Sequence, residues 1–496
     1  MFQTNPTIIA IVAAYLLATV LIGVWATRRT KSVSDYLVAG RNLGMFVMSI
    51  AVFASIQSGF GVLGGTGMTF SDGLGFVTGI GLAAVLGFGL AWFLVGKRMW
   101  RLARSGEVYT LGDVAERRYR SPAARGWIAI AIVLGVIGYL GTQVQAMGVV
   151  MGSIFGIDTH TGAVIGLGIL ALYAIGGGTI AAVYTDAFQG VLMIVVSVVI
   201  FVGAVRVGGG LSEITTTVQS ADPALGTPFG AFPAVTIACW ILLFAVGAAA
   251  QPQLLTKFLM IRSTKELKWG AVTAGLAYVA TMFLVVGVGL SALALSIDGE
   301  FPAVASEDEA LTVFMTEYTP AIFAGLVMAA ILSAIMSTGD AFATLGAASL
   351  VRDLPRAFGK RVRNELLWSR VAVAALLVAS VLFALYLDTL VALLGVFGWG
   401  TFAAAIFPAI VLGLVWSRGT KLAAICSIVL SLAINFVLEI GSLYGFTPLP
   451  DGVINGAFAL ALSTVIYLAV SLLPGRGGAR AQHQDAERER GHSYAT

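Results

Sequence analysis

The sequence predicts an all-α polytopic membrane protein. Three observations carry that reading. Only 11% of the 496 residues are charged, against about 25% in soluble domains. Hydrophobic residues make up 58% of the chain and its mean hydropathy is +0.94. At about 20 apolar residues per crossing, the apolar runs suffice for thirteen membrane helices. This composition excludes a soluble enzyme, a disordered regulator and a disulfide-built secreted module.

The runs lie at 7–27, 43–70, 74–96, 126–155, 161–178, 184–205, 233–256, 269–296, 320–350, 366–387, 389–416, 421–440 and 453–473. The first is followed directly by Arg28, Arg29 and Lys31, with no base before it, so it reads as a stop-transfer helix and not a cleaved signal. With the N-terminus outside, every Lys and Arg except Arg206 falls on the inside, which fixes a cytoplasmic C-terminus by the positive-inside rule. The pI near 9.0 therefore reflects cytoplasmic loops, not nucleic acid. The segment 297–319 carries Asp298, Glu300, Glu307, Asp308, Glu309 and Glu317 without a base, as a solvated external loop would. From Pro474 the chain loses apolar periodicity and reads as a disordered cytoplasmic tail. Cys239 and Cys426 sit in apolar runs as inert thiols, and His160, His483 and His492 offer no metal-ligand spacing.

Two runs break helical rules. Between Ser58 and Gly67 stand five glycines, each costing a helix about 1 kcal/mol; the stretch reads either as close helix packing or as an unwound segment whose backbone lines a site. In the seventh run, Pro252 after Gln251 removes one donor and frees a carbonyl one turn earlier. Each break falls in the first helix of a five-helix stretch, the pattern of an inverted-repeat transporter. Asp186 and Asp340 are the acids clearly within or at the rim of the runs, Glu439 lying near a helix end where it can snorkel. No intramembrane Lys or Arg is expected to pair with either Asp, so a cation or a proton is the expected partner. Ala334, Ser337 and Thr338 follow i, i+3, i+4 spacing and share one helix face.

In these residues the chain resembles the sodium:solute symporter family, in its pantothenate, monocarboxylate and proline branches. The marks are Asp35-Tyr36-Leu37-Val38-Ala39-Gly40-Arg41, Gly176-Gly177-Gly178 with Tyr184 to Gln189, Gln251-Pro252-Gln253-Leu254-Leu255-Thr256-Lys257-Phe258, and Met336-Ser337-Thr338, over residues 7 to 475. The resemblance implies a LeuT-type inverted-repeat core of ten helices. It divides the chain into an extra helix and loop (1–42), two five-helix repeats (43–206 and 207–417), two further helices (418–473) and the tail (474–496). It implies a sodium site from the carbonyls of Ala54, Gln57 and Ala334 and the hydroxyls of Ser337 and Thr338. A second cation or proton site would involve Asp186, Ser337 and Asp340, since Asp340 and Ala341 stand where some members carry hydroxyls.

The solute is expected between the two breaks, near Ser58, Gly59 and Phe60, with Gln143, Trp240 and Phe244. Sugar carriers place charges in the runs matching 74–96 and 269–296, where this chain has none, and the proline branch carries an aromatic ring at the place of Ala248. The expected activity is Na⁺-coupled uptake of a small organic solute by alternating access across a plasma or bacterial inner membrane. Na⁺ is its only metal, and no organic cofactor, nucleic acid partner or enzymatic reaction is expected. The alternatives are a proton-coupled symporter or exchanger on the same fold, or a transporter-like sensor. The last is disfavoured by the shortness of the segment after the final run.

Overall fold

A computed structural model of the chain describes residues 5–387 and 391–473, with the side chains of 173, 177, 386, 387, 392 and 393 excepted. The tail 474–496, including His483 and His492, and the first two residues of the run at 389–416 lie outside the described residues.

Each apolar run has a helical counterpart. Helix α1 spans Pro6–Thr27, and the second run is the pair α2, Met45–Ile56, and α3, Phe60–Asp72, bent by 61°. Then come α4 (Val77–Arg104), α5 (Pro122–Phe155), α6 (Thr159–Gly176) and α7 (Gly178–Val207). The seventh run is also divided, into the shorter α8 (Ala234–Val246) and α9 (Pro252–Phe258). The remainder are α10 (Gly270–Ile297), α11 (Ala321–Ala348), α12 (Glu365–Leu387), α13 (Val391–Ile406), α14 (Lys421–Leu443) and α15 (Asn455–Leu472). Among the described residues, eleven continuous helices are long and apolar enough to cross a membrane.

Burial separates a core from a lipid-facing rim. The most apolar windows of α5 and of the span containing α11 are 72% and 78% buried, against 28% for α1 and 33% for α15. Leu17, Leu21, Phe93, Leu172, Val195 and Leu382 project from the rim helices and are exposed. In a bilayer such side chains face acyl chains, so they need no protein cover.

The loop motif Asp35–Arg41 turns out to be a structural clasp. Asp35 and Ser32 form a reciprocal capping box at the start of a short helix, Val33–Val38. Tyr36 lays its ring against Gly178, where α6 gives way to α7; the φ of +55° and ψ of −152° there belong to glycine alone, and a Cβ would strike that ring. Arg41 closes the loop by donating to the carbonyls of Ala103, Gly106 and Val108.

The acidic loop at 297–319 differs from the solvated segment expected. Asp308 is 6% exposed and accepts the backbone N–H of Val391 at 2.9 Å, capping α13. Burial, with the neighbouring carboxylates of Glu307 and Glu309, pushes its carboxyl up to about 6. The same loop seats on α3: a Cβ at Gly67 would stand 2.8 Å from the carbonyl oxygen of Glu307.

Candidate functional site

The break between α2 and α3 is confined to two residues. Gln57 takes an extended conformation (φ −72°, ψ 111°), and helical geometry resumes at Gly59. The glycine cluster is therefore not the unwound segment; it lies in α3 and permits close packing. A Cβ at Gly65 would meet the ring of Phe76 at 2.5 Å, and one at Gly59 would meet Cβ of Ala146 at 2.6 Å. The second break has the same form, with Gln251 extended (φ −65°, ψ 123°) and Pro252 opening α9, where its missing N–H costs nothing.

Interrupting α2 leaves its last carbonyls without helical donors, and they turn toward α11. The Ser337 hydroxyl donates to the Ala54 carbonyl at 2.8 Å and to its own-helix Ala334 carbonyl at 3.2 Å. The Thr338 hydroxyl lies 3.3 Å from the Gln57 carbonyl and 3.5 Å from that of Ser55. Ala54, Gln57, Ala334, Ser337 and Thr338 are thus brought together, all fully buried, and the carbonyl of Ser55 joins them.

This donor set fits Na⁺. Hard cations of that size take oxygen ligands at about 2.3–2.6 Å, so ligands at right angles stand roughly 3.4 Å apart, close to the oxygen separations found. The set is neutral, with two hydroxyls free to turn their lone pairs inward.

Asp186 departs from expectation. A base does reach it: Lys257, on α9, is 4% exposed, and its Nζ stands 2.7 Å from Oδ2 of Asp186. The same ammonium donates to the Ser55 hydroxyl at 2.6 Å and the Ala51 carbonyl at 2.7 Å, while Ser55 donates to Asp186 at 2.8 Å. The hydrogen bonds of Asp186 thus run to Ser55 and Lys257, not to Ser337. Asp340 is buried on α11, 1% exposed, three residues beyond Ser337. Lys257 escaped the reading because it closes a broken helix and was assigned to the loop beyond; its position in the quoted Gln251–Phe258 motif was the available signal.

Five of the six expected solute residues gather around the first break. Gln143 accepts the Gly59 N–H at 3.1 Å, and the Ser58 hydroxyl meets the Tyr139 hydroxyl at 3.1 Å. Phe60 stacks on Phe244 with ring centroids 5.8 Å apart, and Phe244 leans on Trp399 at 4.8 Å. Trp240 stands apart, its ring edge-on to Phe232 at 4.6 Å. Tyr139, Phe76 and Trp399 were not anticipated; single aromatics in apolar helices carry no signal of which face they occupy. The Gln57 side-chain amide is buried over Gly61, and neither Oε1 nor Nε2 has a hydrogen-bond partner among the described residues.

A small cavity of about 40 Å³ is lined by Lys257, Gln253, Leu37, Tyr109 and Ser349, on the side of the loops richest in Lys and Arg.

Similarity to known proteins bears on the family and the fold. The chain is 28% identical over 461 residues to the high-affinity proline transporter PutP of Bacillus subtilis (strain 168), covering 91% of this chain and 95% of that protein. It is 27% identical over 438 residues to the sodium/pantothenate symporter of Escherichia coli (strain K12), covering 86% and 89%. Its fold superposes on a Na⁺-coupled sialic acid symporter, solved substrate-bound and outward-open, with a TM-score of 0.78 at 20% identity over 96% of this chain and all of that one. A second likeness, with TM-score 0.55 and 14% identity, is to Mhp1, a nucleobase-cation-symport-1 family transporter, and covers 92% of this chain and 99% of that one. The fold is thus the LeuT-type architecture. With residues 36–430 matching the model of the sodium:solute symporter family, this chain belongs to that family.

Proposed function

We propose that the protein uses inward Na⁺ flow to take up a small organic solute bearing a carboxylate, of pantothenate-like, monocarboxylate or amino-acid-like kind. One observation carries the reading: carbonyls of the broken α2 and hydroxyls of the continuous α11 converge on one point. An ion held there ties two separately moving units together. Because the same break forms the solute-side cluster of Ser58, Gly59 and Phe60, ion binding orders the segment that meets the solute. Ion and solute then raise each other's affinity by the same factor.

The solute cluster offers an aromatic wall of Phe60, Phe244 and Trp399 and a polar group, the Gln57 amide, that still lacks a partner. That combination suits a compact molecule with one apolar face and one polar end. Lys257 is already engaged, so the solute carboxylate falls to the positive N-terminal end of α3 and to the bound Na⁺.

Within this reading the two five-helix repeats, 43–206 and 207–417, exchange access by moving against one another. The N-terminus is outside, the C-terminus is cytoplasmic, and the small cavity beside Lys257 lies on the inward side of the site. The purified protein should be stabilised by its solute only when Na⁺ is present. A thermal-shift panel of pantothenate, lactate, pyruvate and proline, in Na⁺ and in choline, tests this. A solute that stabilises equally in both salts would refute the coupling.

A further inference from the structure

The carboxylate of Asp186 sits in an oxygen cage whose centre is filled by the chain itself. Around Nζ of Lys257 stand three oxygens: one carboxylate, one hydroxyl and one carbonyl, from Asp186, Ser55 and Ala51, at 2.6–2.7 Å. An ammonium has three donors and no acceptor, so this shell satisfies it completely. The oxygens come from α2 and α7 and the cation from α9, with the side chain of Asp186 fully buried and that of Lys257 5% exposed. A cage of hard oxygens with one negative charge is the chemistry that would otherwise hold a free monovalent cation.

The cage also adjoins the sodium site. Ser55 contributes to both, its carbonyl facing Thr338 and its hydroxyl facing Asp186 and Lys257. A second mobile cation beside the first would meet the tethered ammonium at van der Waals distance. The Asp186 charge that would attract it is already neutralised, and without that charge desolvation of another ion has no compensation.

We infer that Lys257 is a built-in counter-ion that takes the place of a second coupled cation and limits the protein to one Na⁺ per cycle. The inference rests on Na⁺ binding at Ser337 and Thr338 but goes beyond it. It makes Lys257 a residue that sets ion stoichiometry without touching solute.

The test counts bound ions and needs no knowledge of the solute. Saturation binding of radioactive Na⁺ to the purified full chain should give one ion per molecule. Lys257→Ala empties the centre of the cage and leaves Asp186 charged, so binding should rise to two ions per molecule. The paired neutral variant D186N/K257M removes both charges, and its count should stay at one. Two ions on the unaltered protein overturn the inference, as does a folded Lys257→Ala variant that still binds one. Should Lys257→Ala fail to fold, the paired variant decides: loss of all Na⁺ binding would mean that Asp186 serves the sodium site directly, and the inference falls. Absence of saturable Na⁺ binding in the unaltered protein would instead defeat the sodium-coupled reading itself.

Discussion

Removing both hydroxyls of α11 is the perturbation with the most calculable outcome. Ser337 and Thr338 each present one oxygen to the point where the Ala54, Ser55 and Gln57 carbonyls converge, with oxygen–oxygen separations of 2.8–3.5 Å. A polar contact to a charged group is worth about 1.5–3 kcal/mol. Taking the lower end for each, because water refills part of the shell, the S337A/T338A variant loses about 3 kcal/mol of ion binding. At 1.4 kcal/mol per tenfold change, the Na⁺ concentration for half-maximal binding should rise about a hundredfold. Thr338→Ser retains its hydroxyl and should stay within about threefold of the unaltered protein. The assay is a Na⁺ titration of thermal stability and of radioactive Na⁺ binding on purified protein. The melting midpoint without Na⁺ reports separately on folding, since the Ala54 carbonyl also loses its hydroxyl donor. A double variant that folds and keeps its original Na⁺ titration would refute the assignment of these oxygens to the ion.

Three other outcomes follow from single positions. Asp308 is buried and its carboxyl is raised from 3.8 to about 6. The fold therefore favours the neutral form, which contributes stability below about pH 4 that is lost as pH rises through 6. Asp308→Asn keeps an acceptor for the Val391 N–H, and should raise stability at pH 7 by up to about 3 kcal/mol while flattening the melting profile between pH 4 and 6; an unchanged profile would contradict this. Gly59→Leu should cost stability, by roughly 1–3 kcal/mol for overpacking, because its Cβ already meets Ala146 at 2.6 Å; a variant melting with the unaltered protein would show that α3 has room there. With Cys239 and Cys426 replaced, an impermeant thiol reagent applied to intact cells should label a cysteine at exposed Ala305 and spare one at exposed Lys360; the reverse pattern would invert the proposed orientation.

Much of the architecture is legible in the sequence because membrane helices obey few rules and departures from them are conspicuous. Pro252 in an apolar run and a dense glycine cluster mark the two interruptions, and both fall within two residues of the observed breaks. The hydroxyl pair Ser337–Thr338 shares a face with Ala334 by helical spacing alone, and the structure sets that face against the carbonyls of α2. What the glycines do is not legible from composition. The unwound segment is Gln57 and Ser58, whereas Gly59 to Gly67 stay helical and admit Ala146, Phe76 and the Glu307 backbone. Spacing does not distinguish a glycine needed for backbone freedom from one needed for a neighbour's approach.

Lys257 illustrates a second limit. Run boundaries are uncertain by a few residues, and a four-carbon stem can carry an ammonium inward from a helix end. A base counted with the cytoplasmic loop thus proved to be the partner of Asp186. The same uncertainty affects side-chain direction: Trp240 and Phe244 are one helical turn apart, yet Phe244 joins the ring of Phe60 and Trp240 packs on Phe232.

The most direct test of sodium-driven uptake through this site is transport itself. In proteoliposomes containing the purified chain, an imposed inward Na⁺ gradient without a proton gradient should concentrate the solute chosen by the stability panel above its external level. The S337A/T338A variant should lose that accumulation at the same Na⁺ concentration. Accumulation that follows a proton gradient and is indifferent to Na⁺ would contradict the sodium assignment.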